Sequence, residues 1–223
     1  MAHEKQSALR FPLTRILGSV ANVKTFRELV RHGGELSAPS LCARTRLSTR
    51  AVQLSLRALE EMQVIRSLGS GRTRLYRRRR SHPLSQIFVE LFRHEESRFE
   101  AIVGKVREAV ETCLPSITAA WIFGSVARSE DRPGSDLDIA LVTAPEKASA
   151  VEYLVRETLL AAEKELLFHA SIVALDTNDL AQLAAQDDPL WTSLRKDTMP
   201  ILGDSPETLM MRLTRQSQKA TVT

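Results

Sequence analysis

Apolar positions in the first part of the chain recur at intervals of three and four residues. Between residues 11 and 32 this spacing predicts helix, which Gly33-Gly34 ends. A short helix beginning after Ser37 and a longer helix beginning after Ser48 should follow. A serine at these positions can accept a hydrogen bond from a free N–H of the first turn.

Two short segments, Val64-Ile65-Arg66 and Arg72-Thr73-Arg74-Leu75-Tyr76, flank a glycine-rich turn and predict the two strands of a β-hairpin. Helix, short helix, turn, longer helix and hairpin is the order of a helix-turn-helix domain with a wing. From residue 83 to residue 113 the apolar spacing is helical again. Its interruption at residues 93–97 leaves open whether this connector is one helix or two.

The pattern changes from residue 117 onwards. Continuous apolar runs at residues 117–123, 137–142 and 168–175 predict buried strands, and the periodicity of residues 147–167 predicts a helix between the last two. The segment from residue 207 to the end is polar, and we expect a flexible tail there. The second half therefore combines strands with helices, and we expect the whole chain to belong to the α+β class.

Charge divides the chain at about the same place as the hydrophobic pattern. Residues 1–80 contain 17 Lys and Arg against 5 Asp and Glu, whereas the remainder contains 14 against 22. A strongly basic part suits a polyanion, and an acidic part suits a metal ion or a protein partner. Two distant cysteines, Cys42 and Cys113, support neither a zinc site nor a disulfide framework. Without an apolar signal core or a run long enough to span a bilayer, we expect a cytoplasmic protein with no membrane association.

One segment carries a recognisable chemistry. Gly124-Ser125 follows the first buried strand, and Asp136 and Asp138 lie two residues apart at the start of the next. Side chains two apart on a strand point to one face, where two carboxylates repel unless a cation such as Mg²⁺ lies between them. A Gly-Ser bend after a strand can turn backbone N–H groups towards a phosphate. The alternative is a solvated strand edge, but nothing structural requires two like charges there.

The strand, Gly-Ser bend, ten-residue loop and Asp-x-Asp strand resemble the signature of the DNA polymerase β-type nucleotidyltransferase superfamily, and most closely its minimal nucleotidyltransferase branch. The resemblance implies a polymerase-β-like domain, a mixed sheet flanked by helices. It also implies transfer of a nucleoside monophosphate, often AMP, with release of pyrophosphate. It implies Mg²⁺ (or Mn²⁺) held by Asp136 and Asp138, which are also the predicted catalytic residues. It implies a nucleoside triphosphate bound by Gly124, Ser125, Arg128 and Ser135.

The sequence departs from this family at one position. Many active members supply a third carboxylate from a later strand as the base that deprotonates the acceptor. The residue that we align with it is Ser171, and His169 lies on the same strand face. Three interpretations stay open: the acceptor needs no strong base, His169 or another group substitutes, or catalysis is weak or lost. For His169 itself, the alternative is an ordinary hydrogen-bonded strand residue.

The basic half resembles the winged-helix domains found ahead of such nucleotidyltransferase domains in prokaryotic proteins. A winged helix places its second helix in the major groove of duplex DNA and touches phosphates with its wing. The expected DNA-contacting residues are Ser48, Thr49, Arg50, Gln53 and Arg57 on the helix, and Arg72, Arg74, Arg77 and Arg78 on the wing. The alternative, a solvated basic face that never meets DNA, is disfavoured by the low acidic content of residues 1–80.

These observations predict a winged-helix DNA-binding domain at residues 1–82, a helical connector at 83–113, a nucleotidyltransferase domain at 114–206 and a tail at 207–223. The leading hypothesis is a DNA-binding nucleotidyltransferase with an antitoxin-like or regulatory role. Its expected partners are double-stranded DNA, a nucleoside triphosphate, a protein acceptor or toxin, and a second copy of the chain. The competing hypotheses are a transcription regulator whose second domain only binds nucleotide, and a pure interaction protein.

Overall fold

The computed structural model of the protein describes residues 7–71 and 74–220, and it divides into two compact units, one ending at Ser97 and the other beginning at Arg98. The helices of the described residues are α1 Pro12–Ile16, α2 Val20–His32, α3 Ala38–Thr45, α4 Thr49–Glu61, α5 Ser85–Glu111, α6 Gly124–Ala127, α7 Ala148–Leu166, α8 Thr177–Ala185, α9 Pro189–Lys196 and α10 Pro206–Ala220. The strands are β1 Leu36–Ser37, β2 Ile65–Leu68, β3 Leu75–Arg78, β4 Ile117–Phe123, β5 Leu137–Thr143, β6 Ala170–Asp176 and β7 Met199–Leu202.

The first unit has the predicted winged helix-turn-helix arrangement. The Ser37 hydroxyl accepts a hydrogen bond from the Ser40 N–H at 3.2 Å, and the Ser48 hydroxyl accepts one from the Ala51 N–H at 3.2 Å. These caps start α3 and α4 where the sequence predicts them. Helices α2 and α4 then bury their apolar stripes in one core, in which Phe26 is fully buried.

Antiparallel pairing joins the three strands of this unit in the order β1-β3-β2. The hairpin β2–β3 follows the predicted pattern. Strand β1 was not predicted, because two residues are too few to show the alternation on which strand prediction depends.

Helix α5 is one continuous helix of 27 residues and extends from the first unit into the second. In the first unit, Phe88 and Phe92 are buried, and their ring centroids lie 4.9 and 5.9 Å from that of Phe26. Residues 93–97, the polar interruption in the sequence, are all exposed and do not break the helix. Glu95 pairs there with Arg27 of α2 at 2.6 Å. The N-terminal half of the predicted connector is thus part of the winged-helix core.

The second unit contains a four-stranded mixed sheet in the order β6-β5-β4-β7. Strand β5 pairs parallel to β6 and antiparallel to β4, and β4 pairs antiparallel to β7. Helices cover both faces: residues of α5 and α7 pack on one, and residues of α8, α9 and α10 on the other. Burial of both faces explains why β4 and β5 are continuous apolar runs rather than alternating patterns.

Two elements near the C-terminus differ from the sequence-based expectation. Residues 206–220 form helix α10, whose Leu209 is fully buried, instead of the start of a flexible tail. Strand β7 adds an edge to the sheet, although its sequence Met-Pro-Ile-Leu has too little alternation to predict it. None of the helices in the described part of the chain is long and apolar enough to cross a membrane.

Replacing Phe88 by alanine tests whether the first part of α5 belongs to the winged-helix core. We expect Phe88→Ala to reduce the free energy of unfolding by about 3–5 kcal/mol, because it removes a buried ring and leaves a cavity. Ile87→Ala is the matched control on the same turn: its side chain is 58% exposed, so its loss should stay near 0.5 kcal/mol. Urea unfolding followed by circular dichroism measures both. Equal, small losses would show that the helix is only a linker.

Candidate active site

A glycine bend lies directly against a carboxylate at the end of strand β4. Phe123, the last residue of β4, is the register partner of Asp138 in β5, and Gly124 begins the short helix α6. Gly124 has φ +75°, and a Cβ atom placed on it would lie 2.2 Å from Oδ2 of Asp138. Because any other residue would strain the backbone and displace the carboxylate, this contact requires glycine.

The two aspartates of the motif lie at the start of β5. Asp138 is within the strand and half-buried, and Asp136 is exposed and precedes the strand by one residue. Leu137 and Ile139 point into the core beneath α7, so alternation places Asp138 on the opposite face of the sheet. Asp136 lies two residues before Asp138, and the same alternation therefore directs its side chain to the same side as that of Asp138.

Burial raises the pKa of Asp138 above its ordinary value, and the neighbouring charge of Asp136 raises it further, whereas Arg128 lowers it. Arg128 ends α6, and its guanidinium lies 2.9 Å from Glu130 and 3.8 Å from Asp197 at the end of α9. The site therefore contains two carboxylates that repel each other and one arginine whose positive charge stabilises the ionised form of Asp138.

Ser125 and Ser135, the two predicted hydroxyl ligands, occupy different positions. Ser125 lies in α6 beside Gly124 with its side chain half-buried, and its carbonyl accepts a hydrogen bond from the Glu130 N–H at 2.9 Å. The Ser135 hydroxyl accepts a hydrogen bond from the Arg132 N–H at 3.0 Å. Ser135 therefore holds the turn that leads into Asp136, and its hydroxyl is already engaged.

The residues present fit a magnesium ion. Mg²⁺ prefers oxygen ligands and is commonly bound by one or two carboxylates, with substrate phosphates and water completing the shell. Asp136 and Asp138 supply the carboxylates, and the bend at Gly124 lies directly against Asp138. No cluster of three or more His, Cys, Asp or Glu side chains suited to a metal occurs among the described residues.

Parts of the chain are similar to known proteins in sequence and in structure. Residues 105–194 match the family model described as "Polymerase beta, Nucleotidyltransferase". This segment is a polymerase β-type nucleotidyltransferase domain. Among curated proteins, none is significantly similar to the chain in sequence.

Several solved structures are similar to parts of the chain. A toxin–antitoxin structure with AMP-PNP is 16% identical, covers 54% of this chain and 94% of its own, and has a TM-score of 0.35. The AntR antimony-specific transcriptional repressor is 21% identical, covers 45% and 90%, and has a TM-score of 0.36. An ArsR-like transcriptional regulator from Rhodococcus sp. RHA1 is 25% identical, covers 46% and 97%, and has a TM-score of 0.30. Similarity at these scores does not extend to ligands or partners.

The nucleotidyltransferase domain has a serine where we expected a departure from the family. Ser171 of β6, the residue that we align with the family's third carboxylate, is the register partner of Asp138. His169 lies one residue before β6, and its carbonyl accepts a hydrogen bond from the Leu137 N–H at 2.8 Å. The His169 Nδ1 atom is 3.3 Å from Oε1 of Glu163, and its side chain is 69% exposed.

In the winged-helix unit, the predicted DNA-contacting residues of α4 form one exposed face. Thr49, Arg50, Gln53 and Arg57 are all exposed, whereas Ser48 is the helix cap described above. Gln53 and Arg57 line a groove of about 530 Å³ together with Arg74. Arg74 bonds to Glu60 and Ser67 and lies over the ring of Tyr76.

The remaining predicted wing arginines lie elsewhere. Arg77 pairs with Glu35 of the loop before β1 at 3.2 Å, and Arg78 points inwards, where it donates to the hydroxyl and carbonyl of Ser85. Both line a second cavity that Gln53, Arg57 and Arg74 do not line. The sequence suggested one set of wing contacts because it does not show which face of the hairpin each arginine occupies. Arg72 lies outside the described residues.

Gly124→Ala tests the contact between the bend and Asp138, with Gly134→Ala as its control. Both glycines have positive φ, +75° and +87°, so each substitution should cost roughly 1–2 kcal/mol of stability. Only the Gly124 substitution meets Asp138, since nothing lies within 4 Å of a Cβ at Gly134. We expect it to push the carboxylate into solvent and lower its raised pKa towards the ordinary value.

NMR titration of the Asp138 carboxyl carbon in both variants measures this effect. The pKa of Asp138 should fall in Gly124→Ala and stay at the wild-type value in Gly134→Ala. Identical titration curves in the two variants would contradict the contact.

Proposed function

We propose that the protein transfers a nucleoside monophosphate, with ATP as donor, to an acceptor hydroxyl on a protein or small molecule, and that its winged-helix unit binds duplex DNA. The observation that supports the transfer most directly is the approach of Gly124 to Asp138. There the backbone of the Gly124-Ser125 bend, whose N–H groups can bind a phosphate, lies directly beside a carboxylate that the charge of Asp136 repels. The matched family model over residues 105–194 supports the same chemistry.

In this proposal Asp136 and Asp138 hold Mg²⁺ or Mn²⁺, and Gly124 and Ser125 contact the triphosphate. The bound metal would neutralise phosphate charge and polarise the α-phosphorus for attack. Arg128, which already interacts electrostatically with Asp138, would offset further negative charge as pyrophosphate leaves. Two carboxylates that destabilise each other in the free protein are then stabilised by a metal–nucleotide complex.

The acceptor must lose a proton, and the domain offers an unusual set of groups for this step. Ser171 cannot act as the base, because a serine hydroxyl is not appreciably ionised at neutral pH. His169 precedes it by two residues, and its Nδ1 atom lies 3.3 Å from Oε1 of Glu163 on α7. We propose His169 as the base, since among the described residues no partner is bonded to its Nε2 atom and its side chain is 69% exposed.

Asp136→Ala and Asp138→Ala should abolish transfer of label from α-labelled ATP to an acceptor in cell lysate. The expected loss is at least about 100-fold, because metal stabilisation of the transition state is worth several kcal/mol. Asp131→Ala is the matched control, an exposed acid in the same loop that should retain transfer. Unchanged labelling in Asp136→Ala would refute the proposed metal site.

Ser171 also supports a second candidate function, a regulator that binds nucleotide without transferring it. Calorimetry separates the two. Magnesium-dependent binding of ATP that Asp136→Ala abolishes, without labelling of any acceptor, favours the sensor. Labelling that His169→Ala reduces while ATP affinity stays constant favours the enzyme.

We propose that the exposed face of α4 contacts the major groove of duplex DNA. Thr49, Arg50, Gln53 and Arg57 share this face, and their side chains can pair with base edges or phosphates. Arginine forms bidentate hydrogen bonds with guanine, and glutamine does so with adenine. Arg74, beside the same groove, would contact the phosphate backbone.

Arg50→Ala should weaken binding to fragments of the host's own promoter regions by about 1–3 kcal/mol if Arg50 contacts a base. Arg93→Ala is the control, because Arg93 is also an exposed arginine but belongs to a different helix, α5. Gel shifts at one fixed salt concentration measure both variants. Equal affinities for the two variants would exclude Arg50 as a base contact, and no shift with any promoter fragment would count against DNA binding.

A further inference from the structure

Five arginines and one carboxylate line a concave cavity of about 810 Å³ in the winged-helix unit. The arginines are Arg66 of β2 and the four consecutive arginines at 77–80, and the carboxylate is Glu35. Gly33 and Gly34, after α2, complete much of the wall. The volume lies within the range of about 300–1,000 Å³ typical of small-molecule sites.

The hairpin places two of these arginines directly opposite each other. Arg66 and Arg77 are register partners across β2 and β3. Directly opposite like charges destabilise a sheet. Arg66 is exposed, and no hydrogen bond or ion pair joins it to another described residue. The fold therefore retains a repulsion that an anion between the two guanidinium groups would relieve.

Few carboxylates neutralise the arginines of the cavity. Arg77 forms an ion pair with Glu35 at 3.2 Å, whereas Arg79 donates a hydrogen bond to the uncharged amide oxygen of Gln63 at 2.6 Å. Arg78 is bonded to Ser85, and burial followed by the charge of Arg80 lowers its pKa below the ordinary value. Glu35 is thus the one carboxylate in the described lining, beside five arginines of which one, Arg78, is turned towards Ser85.

We infer that this cavity is a binding site for a small anion that carries two or more phosphoryl groups. The guanidinium group matches phosphate oxygens with two parallel N–H donors, and its charge does not depend on pH in the physiological range. A chain of two or three phosphoryl groups carries a negative charge comparable to the surplus of four arginines over carboxylates in the lining.

The cavity and the α4 groove lie on different faces of the hairpin. The Arg66–Arg77 pair faces the cavity, and the next pair along, Ser67–Tyr76, points the other way. Tyr76 lines the groove that contains Gln53. DNA bound on the exposed face of α4 would therefore not occupy the cavity, and a smaller ligand could still bind there.

The described lining also indicates which part of the ligand is recognised. It contains no aromatic side chain on which a base could stack. Recognition then rests on the phosphoryl groups, and inorganic tripolyphosphate is a sufficient probe.

Calorimetry of the full chain with inorganic tripolyphosphate, in EDTA, tests the inference. We expect binding at least about 10-fold tighter than that of orthophosphate, because more charged hydrogen bonds form. Arg66→Gln and Arg77→Gln should each weaken tripolyphosphate binding by about 10-fold or more. Thermal unfolding of Arg66→Gln should show no loss of stability, since the substitution removes a repulsion.

Arg57→Gln, on the exposed face of α4, is the control and should bind tripolyphosphate like the wild type. Equal weakening in Arg57→Gln would mean unspecific attraction to a basic surface, and unchanged binding in Arg66→Gln and Arg77→Gln would place the ligand elsewhere in the protein. Displacement of tripolyphosphate by promoter DNA, with Arg66→Gln weakening the DNA complex, would make these arginines backbone contacts. Any of these results, or no binding at all, overturns the inference.

Discussion

The close approach of Gly124 to the carboxylate of Asp138 is the constraint on which the candidate active site depends. It exists because β4 ends at Phe123 opposite Asp138, so the chain must turn where the carboxylate stands. That register is fixed by a sheet buried on both faces, in which a slip of one residue would exchange the two faces of β5 and turn the carboxylate of Asp138 towards the core beneath α7. The two hydrophobic layers therefore determine the geometry at the bend.

Each unit of the protein keeps charges of like sign close together. In the nucleotidyltransferase domain the pair is Asp136 and Asp138, and in the winged-helix unit it is Arg66 and Arg77. Such arrangements cost stability in the free protein and are stabilised by a ligand of opposite charge. The two pairs have opposite charges, and we therefore propose different ligands for them: a cation with its nucleotide for the carboxylates, and phosphoryl groups for the arginines. The opposite net charges of the two halves of the sequence thus correspond to two kinds of site.

The sequence predicted the elements whose hydrophobic pattern is long, and it failed for two short strands. It predicted α2, α4, α7, β4 and β5, because their apolar patterns extend over seven or more residues. It missed β1 and β7, which are held by neighbouring strands rather than by a pattern of their own. It also suggested a division of α5 at residues 93–97, although an exposed polar stretch continues a helix as well as it ends one.

By itself the sequence determined the fold class, the Gly-Ser and Asp-x-Asp spacing and the charge of each half, because these depend on residue type and local order. That Ser171 stands where the family has its third carboxylate stays a prediction. Only the tertiary structure decided that Gly124 contacts Asp138, that Arg78 turns inwards to Ser85, and that Arg66 stands opposite Arg77. These facts depend on strand register and on which face of the hairpin is covered. Both are settled by packing between segments distant in the chain, which no local pattern records.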